Sequence, residues 1–144
     1  MPLVNLFPHV IFVGLLPPTI SNPIAISLGA IAGALSRYYL TLWCAERYGT
    51  SFPYGTFVIN LSGALVMGFF NTLVLEQAMT SPELRLMIAT GFLGSYTTFS
   101  TYTLDTANLL RTGNYQPALI YWTGSAVLGI LGLEIGSLVA KTLL

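Results

Sequence analysis

The stretch Gly91-Phe92-Leu93-Gly94-Ser95-Tyr96-Thr97-Thr98-Phe99-Ser100-Thr101-Tyr102-Thr103 decides how the rest of the chain is read. Of the nine residues from Ser95 to Thr103, eight carry hydroxyls, and glycines stand at 91 and 94. A run this polar at membrane depth is tolerated only where it faces protein or a wetted cavity. Glycines and clustered Ser/Thr also weaken a helix, because the hydroxyls offer the backbone alternative hydrogen bonds. The residue chemistry predicts a helix break near 94–98, with helix resuming through Asp105. It also marks the stretch as the candidate functional site.

The surroundings set the class. The chain has 144 residues, 54% of them apolar and 7% charged, against about 25% charged in a typical soluble domain. Nothing ionises before Arg37 except His9, nothing between Arg47 and Glu76, and nothing between Arg111 and Glu134. Each gap accommodates the ~20 apolar residues of a spanning helix. The expected fold is an all-α membrane protein with four transmembrane helices at about 24–45, 54–76, 83–110 and 117–143, the third broken, in one domain over 24–144. Residues 1–23 contain Pro2, Pro8, Pro17, Pro18 and Pro23. They are expected to form an irregular extension, since Pro17-Pro18 suits no helix interior and the positive region of a cleavable signal is missing.

Small residues repeat at helical spacing. Gly29 with Gly33, Ala30 with Ala34 and Ala64 with Gly68 would let helix backbones approach closely in lipid. Tyr121, Ser125, Gly129, Gly132 and Gly136 share one narrow, partly polar face of the fourth helix. Ser81-Pro82-Glu83 reads as a helix start, with Ser as cap and Pro in the first turn. Gly113 and Asn114 suit a helix end, and Pro117 the next beginning. Asn60 is the one amide in the middle of the second helix, where it serves as interhelical glue or lines a pathway. Arg37 falls too deep for an interfacial residue, so it either snorkels or is buried against a partner.

Several function classes are excluded. Formal net charge is zero, which leaves no basic footprint for nucleic acid. Cys44 and His9 are each alone, so there is no internal disulfide and no His/Cys metal cluster. No Ser/His/Asp set, paired carboxylates or phosphate-cradling loop appears, and the chain is not expected to be an enzyme. Arg85 and Lys141 lie on one expected side, Arg47 and Arg111 on the other, with Arg37 adding at most one. Such balance sets no orientation by the positive-inside rule, which permits insertion both ways and an antiparallel dual-topology homodimer. Conduction and transport remain. Asn60, Ser100, Thr101 and Ser125 offer donors to an anion, aromatic ring edges offer weak positive charge, and carbonyls at a helix break suit a hard cation. A small proton-coupled multidrug exporter, drawing on Asp105 or Glu134 as its intramembrane carboxylate, is the alternative; a noncatalytic scaffold is a third.

The chain resembles the small fluoride channels of bacteria (the Fluc, or CrcB, type). The matching pieces are Gly33-Ala34-Leu35-Ser36-Arg37-Tyr38, Gly55-Thr56-Phe57-Val58-Ile59-Asn60, Gly91-Phe92-Leu93-Gly94 and Thr97-Thr98-Phe99-Ser100-Thr101. They occur in order from about residue 26 onward. The resemblance implies a fluoride-selective channel that passively exports fluoride across the bacterial inner membrane, as an antiparallel homodimer with two pathways. It further implies a structural, untransported sodium ion at the dimer centre, held by the backbone carbonyls of Gly94 and Thr97. Phe99 would present its ring edge to fluoride, Asn60 would bond at the pathway, and Ser100, Thr101, Tyr102, Tyr121 and Ser125 would continue it. Arg37 and Asp105 would be structural. Tyr102 stands where the family usually carries a second Phe, and Gly129 where a further hydroxyl is common.

Overall fold

A computed structural model describes residues 16–77 and 81–144, and among these every regular element is helical. Helix α1 spans Pro18–Tyr48 and α2 spans Tyr54–Gln77. A short α3, Pro82–Arg85, runs directly into a π-helix, π1, over Leu86–Leu93, and then into α4, Gly94–Tyr96. Helix α5 spans Phe99–Arg111 and α6 spans Tyr115–Thr142. Three of these, α1, α2 and α6, are long and apolar enough to cross a membrane. At ~1.5 Å per residue, the 31 residues of α1 exceed the ~30 Å hydrocarbon thickness.

The start of α1 corrects the expected boundary. Residues 18–23 are helical rather than part of an irregular extension. Pro18 occupies the first turn, where a missing N–H costs nothing, and Pro17 sits outside with extended ψ of 147°. Pro23 lies within the helix, close enough to its start that little of the ladder is interrupted. The rest of the expected extension, residues 1–15, lies outside the described residues. The helix ends at Gly49, whose φ of 80° is reached without strain only by a residue lacking Cβ, and whose N–H bonds to Ala45 O at 2.9 Å. Ser81 caps α3, its Oγ accepting from Leu84 N–H at 3.2 Å. Pro117 falls in the first turn of α6, again at no hydrogen-bond cost.

Two close pairings build the bundle. α1 packs along π1 and α4, and α2 packs along α6. In both, glycine lets backbone meet backbone. A Cβ added at Gly29 would fall closer than 3.0 Å to the Met87 carbonyl, and one at Gly33 would meet that of Phe92. At Gly68 and Gly136 the obstacles are the carbonyls of Leu133 and Leu65. Ser95 Oγ ties α4 to α1 by donating to Ala30 O at 3.1 Å, and it also bonds to Gly91 O within its own segment. The aromatic end of the bundle holds a small core of Tyr102, Leu109, Ala118 and Tyr121, with Phe52 and Phe57 against it. Most other large apolar side chains, along α1 and α6 above all, point outward, as expected for helices whose surroundings are lipid or another copy.

The glycine contacts carry a test with an internal control. Gly136→Ala or Gly68→Ala forces the α2–α6 pair apart and is expected to cost about 1–3 kcal/mol. Gly129→Ala, on α6 where an added Cβ would meet nothing within 4 Å, is expected to leave stability unchanged. Melting temperatures of the three variants in detergent decide it; equal losses would refute the packing argument.

Candidate functional site

The site begins where helical hydrogen bonding stops. Thr97 (φ −78°, ψ 157°) and Thr98 (φ −150°, ψ 115°) are extended between α4 and α5. In a helix Thr98 N–H would bond to Gly94 O. Here it donates instead to Asn60 Oδ1 at 2.8 Å, while Asn60 Nδ2 donates to Thr98 O at 3.1 Å. One side-chain amide from α2 thus mimics a strand partner and satisfies both polar groups of the extended residue. Thr101 N–H, which would otherwise reach Thr97 O, donates to Thr98 Oγ1 at 3.2 Å and caps α5. Both diversions free carbonyls, those of Gly94 and Thr97, from their usual helical donors.

That donor set has a definite chemistry. Neutral backbone oxygens are what a hard monovalent cation takes at a broken helix. No group of three or more His, Cys, Asp or Glu occurs among the described residues. The oxygens of Gly94 and Thr97 suit such an ion, and among the described residues no thiolate or imidazole set competes with them. The break is docked on α2 by Gly63, where an added Cβ would strike the Thr97 methyl. Thr97 Oγ1 donates to Leu93 O at 2.9 Å, so its side chain faces back into π1.

A cavity of about 330 Å³ opens beside the break, lined by Asn60, Gly63, Thr97, Thr98, Phe99 and Leu133 among others. Thr98 is buried, whereas Phe99 is 77% exposed at the mouth of the cavity. Thr98 Oγ1 donates to Thr101 Oγ1 at 3.0 Å and lies 3.3 Å from Ser100 Oγ. The three hydroxyls therefore form one cluster at the head of α5.

From Phe99 the site continues by ring contacts to Tyr102 (centroids 5.7 Å apart) and from Tyr102 to Tyr121 (5.3 Å). Both phenols are committed. Tyr102 donates to Trp122 O at 2.8 Å, and Tyr121 donates to Asp105 Oδ2 at 3.3 Å. Thr56 Oγ1 donates to the same carboxylate oxygen at 2.9 Å. Asp105 is therefore a half-buried acceptor gathering α2, α5 and α6 at one point. Ser125, one turn past Tyr121, has a buried Oγ without a hydrogen-bond partner among the described residues.

The structure thus gathers Asn60, Thr97 and Phe99 around one cavity and sets Tyr102, Tyr121 and Asp105 in a second, adjoining cluster. Arg37 belongs to neither. It is half-buried on α1, its carbonyl accepts from Thr41 Oγ1 at 2.8 Å, and its guanidinium has no ion-pair partner among the described residues. Glu134 lies exposed on α6 and does not line the cavity, although its neighbour Leu133 does. Sequence reasoning missed Thr56 and Thr98 as site residues. Thr56 is four before Asn60 and hence on the same face of α2, a signal available from spacing alone.

With three helices long and apolar enough to cross a membrane among its described residues, the chain is a multi-pass membrane protein. Residues 24–137 match the family described as CrcB-like protein, Camphor Resistance (CrcB), and the chain belongs to that family. It is 59% identical over 125 residues to the Fluoride-specific ion channel FluC of Trichormus variabilis, covering 86% of this chain and 91% of the relative. A protein of the same name from a Synechococcus strain is 56% identical over 124 residues, 86% of this chain and 95% of the relative. Another, from Chloroflexus aurantiacus, is 47% identical over 116 residues, 81% and 92% of the two chains.

The amide clamp is the site's testable joint. Asn60→Ala leaves the N–H and C=O of Thr98 unpaired, which is expected to cost about 1–3 kcal/mol for each buried group. Asn71→Ala, an exposed amide on the same helix, is the control and is expected to cost far less. Thermal unfolding in detergent compares the two, and similar melting points would contradict the clamp.

Proposed function

We propose that this chain is a fluoride-selective ion channel that passively exports fluoride and so lowers its concentration in the bacterial cytoplasm, acting from the inner membrane. Its family relatives bear the name of fluoride-specific channels, and those names describe channels rather than enzymes. The observation in this chain that favours it is Ser125. A buried hydroxyl without a partner among the described residues, one helical turn past Tyr121, is a donor available to a small anion that has shed water. Fluoride is the halide that accepts the strongest hydrogen bonds.

In this reading α3, π1, α4 and α5 together make a fourth crossing, the third in chain order, broken at Thr97 and Thr98. The working unit is an antiparallel homodimer of dual topology. The exposure of Phe99 is compatible with a second copy: a ring 77% exposed beside the extended residues is covered once a partner abuts it. Balanced Arg and Lys at the two ends of the bundle are compatible with insertion both ways. The carbonyls of Gly94 and Thr97, from two chains, would hold a sodium ion at the centre. That ion would supply fixed positive charge and lock the two breaks together, without being transported.

Within each pathway the residues have separate tasks. Phe99 and the Tyr102 ring would present positive edges to the anion, since the Tyr102 proton is already committed to the Trp122 carbonyl. Asn60 holds the break open with its amide. Ser100, Thr101 and Ser125 supply hydroxyls, and Tyr121 closes the far end with its own proton on Asp105. The proton-coupled exporter gains nothing from the geometry: Asp105 is engaged by two donors and Glu134 is not among the residues that line the cavity.

Purified protein in liposomes loaded with potassium fluoride is expected to release fluoride when valinomycin shunts potassium. Retention of fluoride by a folded dimer would end the proposal. Phe99→Ile is expected to impair flux with the dimer intact; unchanged flux would remove Phe99 from the pathway. Ser125→Ala is expected to slow flux by roughly tenfold, the loss of about 1.4 kcal/mol in the range of one hydrogen bond to a charged group. Replacing sodium throughout purification by a bulky organic cation is expected to lower the dimer's melting temperature; an unchanged value would remove the central ion.

A further inference from the structure

The ring contacts of the site extend past the pathway residues. Phe52 lies in the loop joining α1 to α2, half-buried. A tight turn, Tyr54 N–H to Phe52 O at 2.8 Å, fixes its backbone, and Pro53 follows it. Its ring meets three others: Tyr54 at 4.8 Å, Phe57 at 5.9 Å and Tyr121 at 5.5 Å. The contact with Tyr121 is edge-to-face, with the planes at 86°, the geometry in which one ring's positive rim meets the other's negative face.

The position matters because α2 and α6 begin at the same end of the bundle. Phe52 precedes α2 and Tyr121 lies in the second turn of α6, so the loop side chain bears on the buried phenol from the outer side. Tyr121 is 0% exposed, and its ring is boxed by Phe52, Phe57 and Tyr102. Of these, Phe57 and Tyr102 come from the helices themselves. Phe52 is the contact contributed by a loop, and its ring covers Tyr121 on the side toward the membrane surface.

We infer that Phe52 is a positioning residue for conduction. It holds the Tyr121 ring so that the hydroxyl donates to Asp105, and it keeps water from reaching that pair. Without it the phenol has room to turn and a wet neighbour to bond. Its proton then leaves Asp105, and a carboxylate with one donor fewer faces the anion's path. An aliphatic side chain of similar bulk fills the space without the edge-to-face preference, so the role is specific to an aromatic ring. The inference rests on the channel reading above and adds a residue outside the matched pathway motifs.

The test is a double-mutant cycle in the liposome flux assay. Phe52→Leu is expected to lower fluoride flux by about tenfold with the dimer intact, while Phe52→Trp is expected to retain most of it. In a Tyr121→Phe background, where no hydroxyl remains to be positioned, Phe52→Leu is expected to add nothing. An equal loss in both backgrounds would reduce Phe52 to general packing and overturn the inference, as would full flux in Phe52→Leu itself. Should Phe52→Leu fail to fold, Phe52→Met takes its place in the same cycle. Conducting wild-type protein with an unaltered Phe52→Leu variant refutes this inference alone. Folded wild-type protein that passes no fluoride refutes the channel reading, and the positioning role falls with it.

Discussion

The structure depends on one side-chain amide. Asn60 gives a hydrogen bond to Thr98 O and takes one from Thr98 N–H, and those two bonds let a backbone leave its helix inside a bundle bounded by apolar surface. Without them both groups of Thr98 would lose those partners, at about 1–3 kcal/mol for each buried group. Once Thr98 is held, its hydroxyl is free to cap α5, the carbonyls of Gly94 and Thr97 lose their helical donors, and Phe99 is projected outward. The extended residues, the cap and the cavity are consequences of the same pair of bonds.

The glycines make that clamp reachable. Asn60 is short, so α2 must approach the break to within a side chain's length. Gly63 admits the Thr97 methyl, and the glycine contacts of α6 draw α2 inward from the other side. Van der Waals packing, not apolar burial, drives such approaches where the surroundings are themselves apolar. A stripe of small residues and a single amide are therefore one device: the stripe sets the distance and the amide spans it.

Much of this is legible in the sequence. The uncharged gaps declare the helices, since only backbone-satisfied helix or closed barrel crosses hydrocarbon. Hydroxyls at 95–103 declare a place that lipid does not touch, and the motifs around Asn60 and Thr97 declare the family. Three features are not legible. The helical start at Pro18 is hidden because a proline pair looks like a breaker until one of the two is placed in a first turn. The π-helix at Leu86–Leu93 leaves no periodic signature in so short an apolar run. The Asp105 cluster depends on Thr56 and Tyr121, which are distant in sequence and meet only after α2, α5 and α6 have packed.

Composition also misleads about availability. A hydroxyl-rich segment suggests many donors for an ion, yet a hydroxyl has one proton and most here are already placed. Tyr102 gives its proton to Trp122 O, Tyr121 and Thr56 give theirs to Asp105, Thr97 to Leu93 O, and Thr98 to Thr101 Oγ1. Those bonds hold the walls. On the proposed channel reading, what remains for a passing anion is a short list: the unpartnered Ser125 hydroxyl, the outward end of the Ser100–Thr101 cluster, and ring edges, which have no proton to lose. A wall whose donors are mostly satisfied binds an anion weakly at any one point. Conduction requires that property, because an ion held by every hydroxyl in its path would not leave.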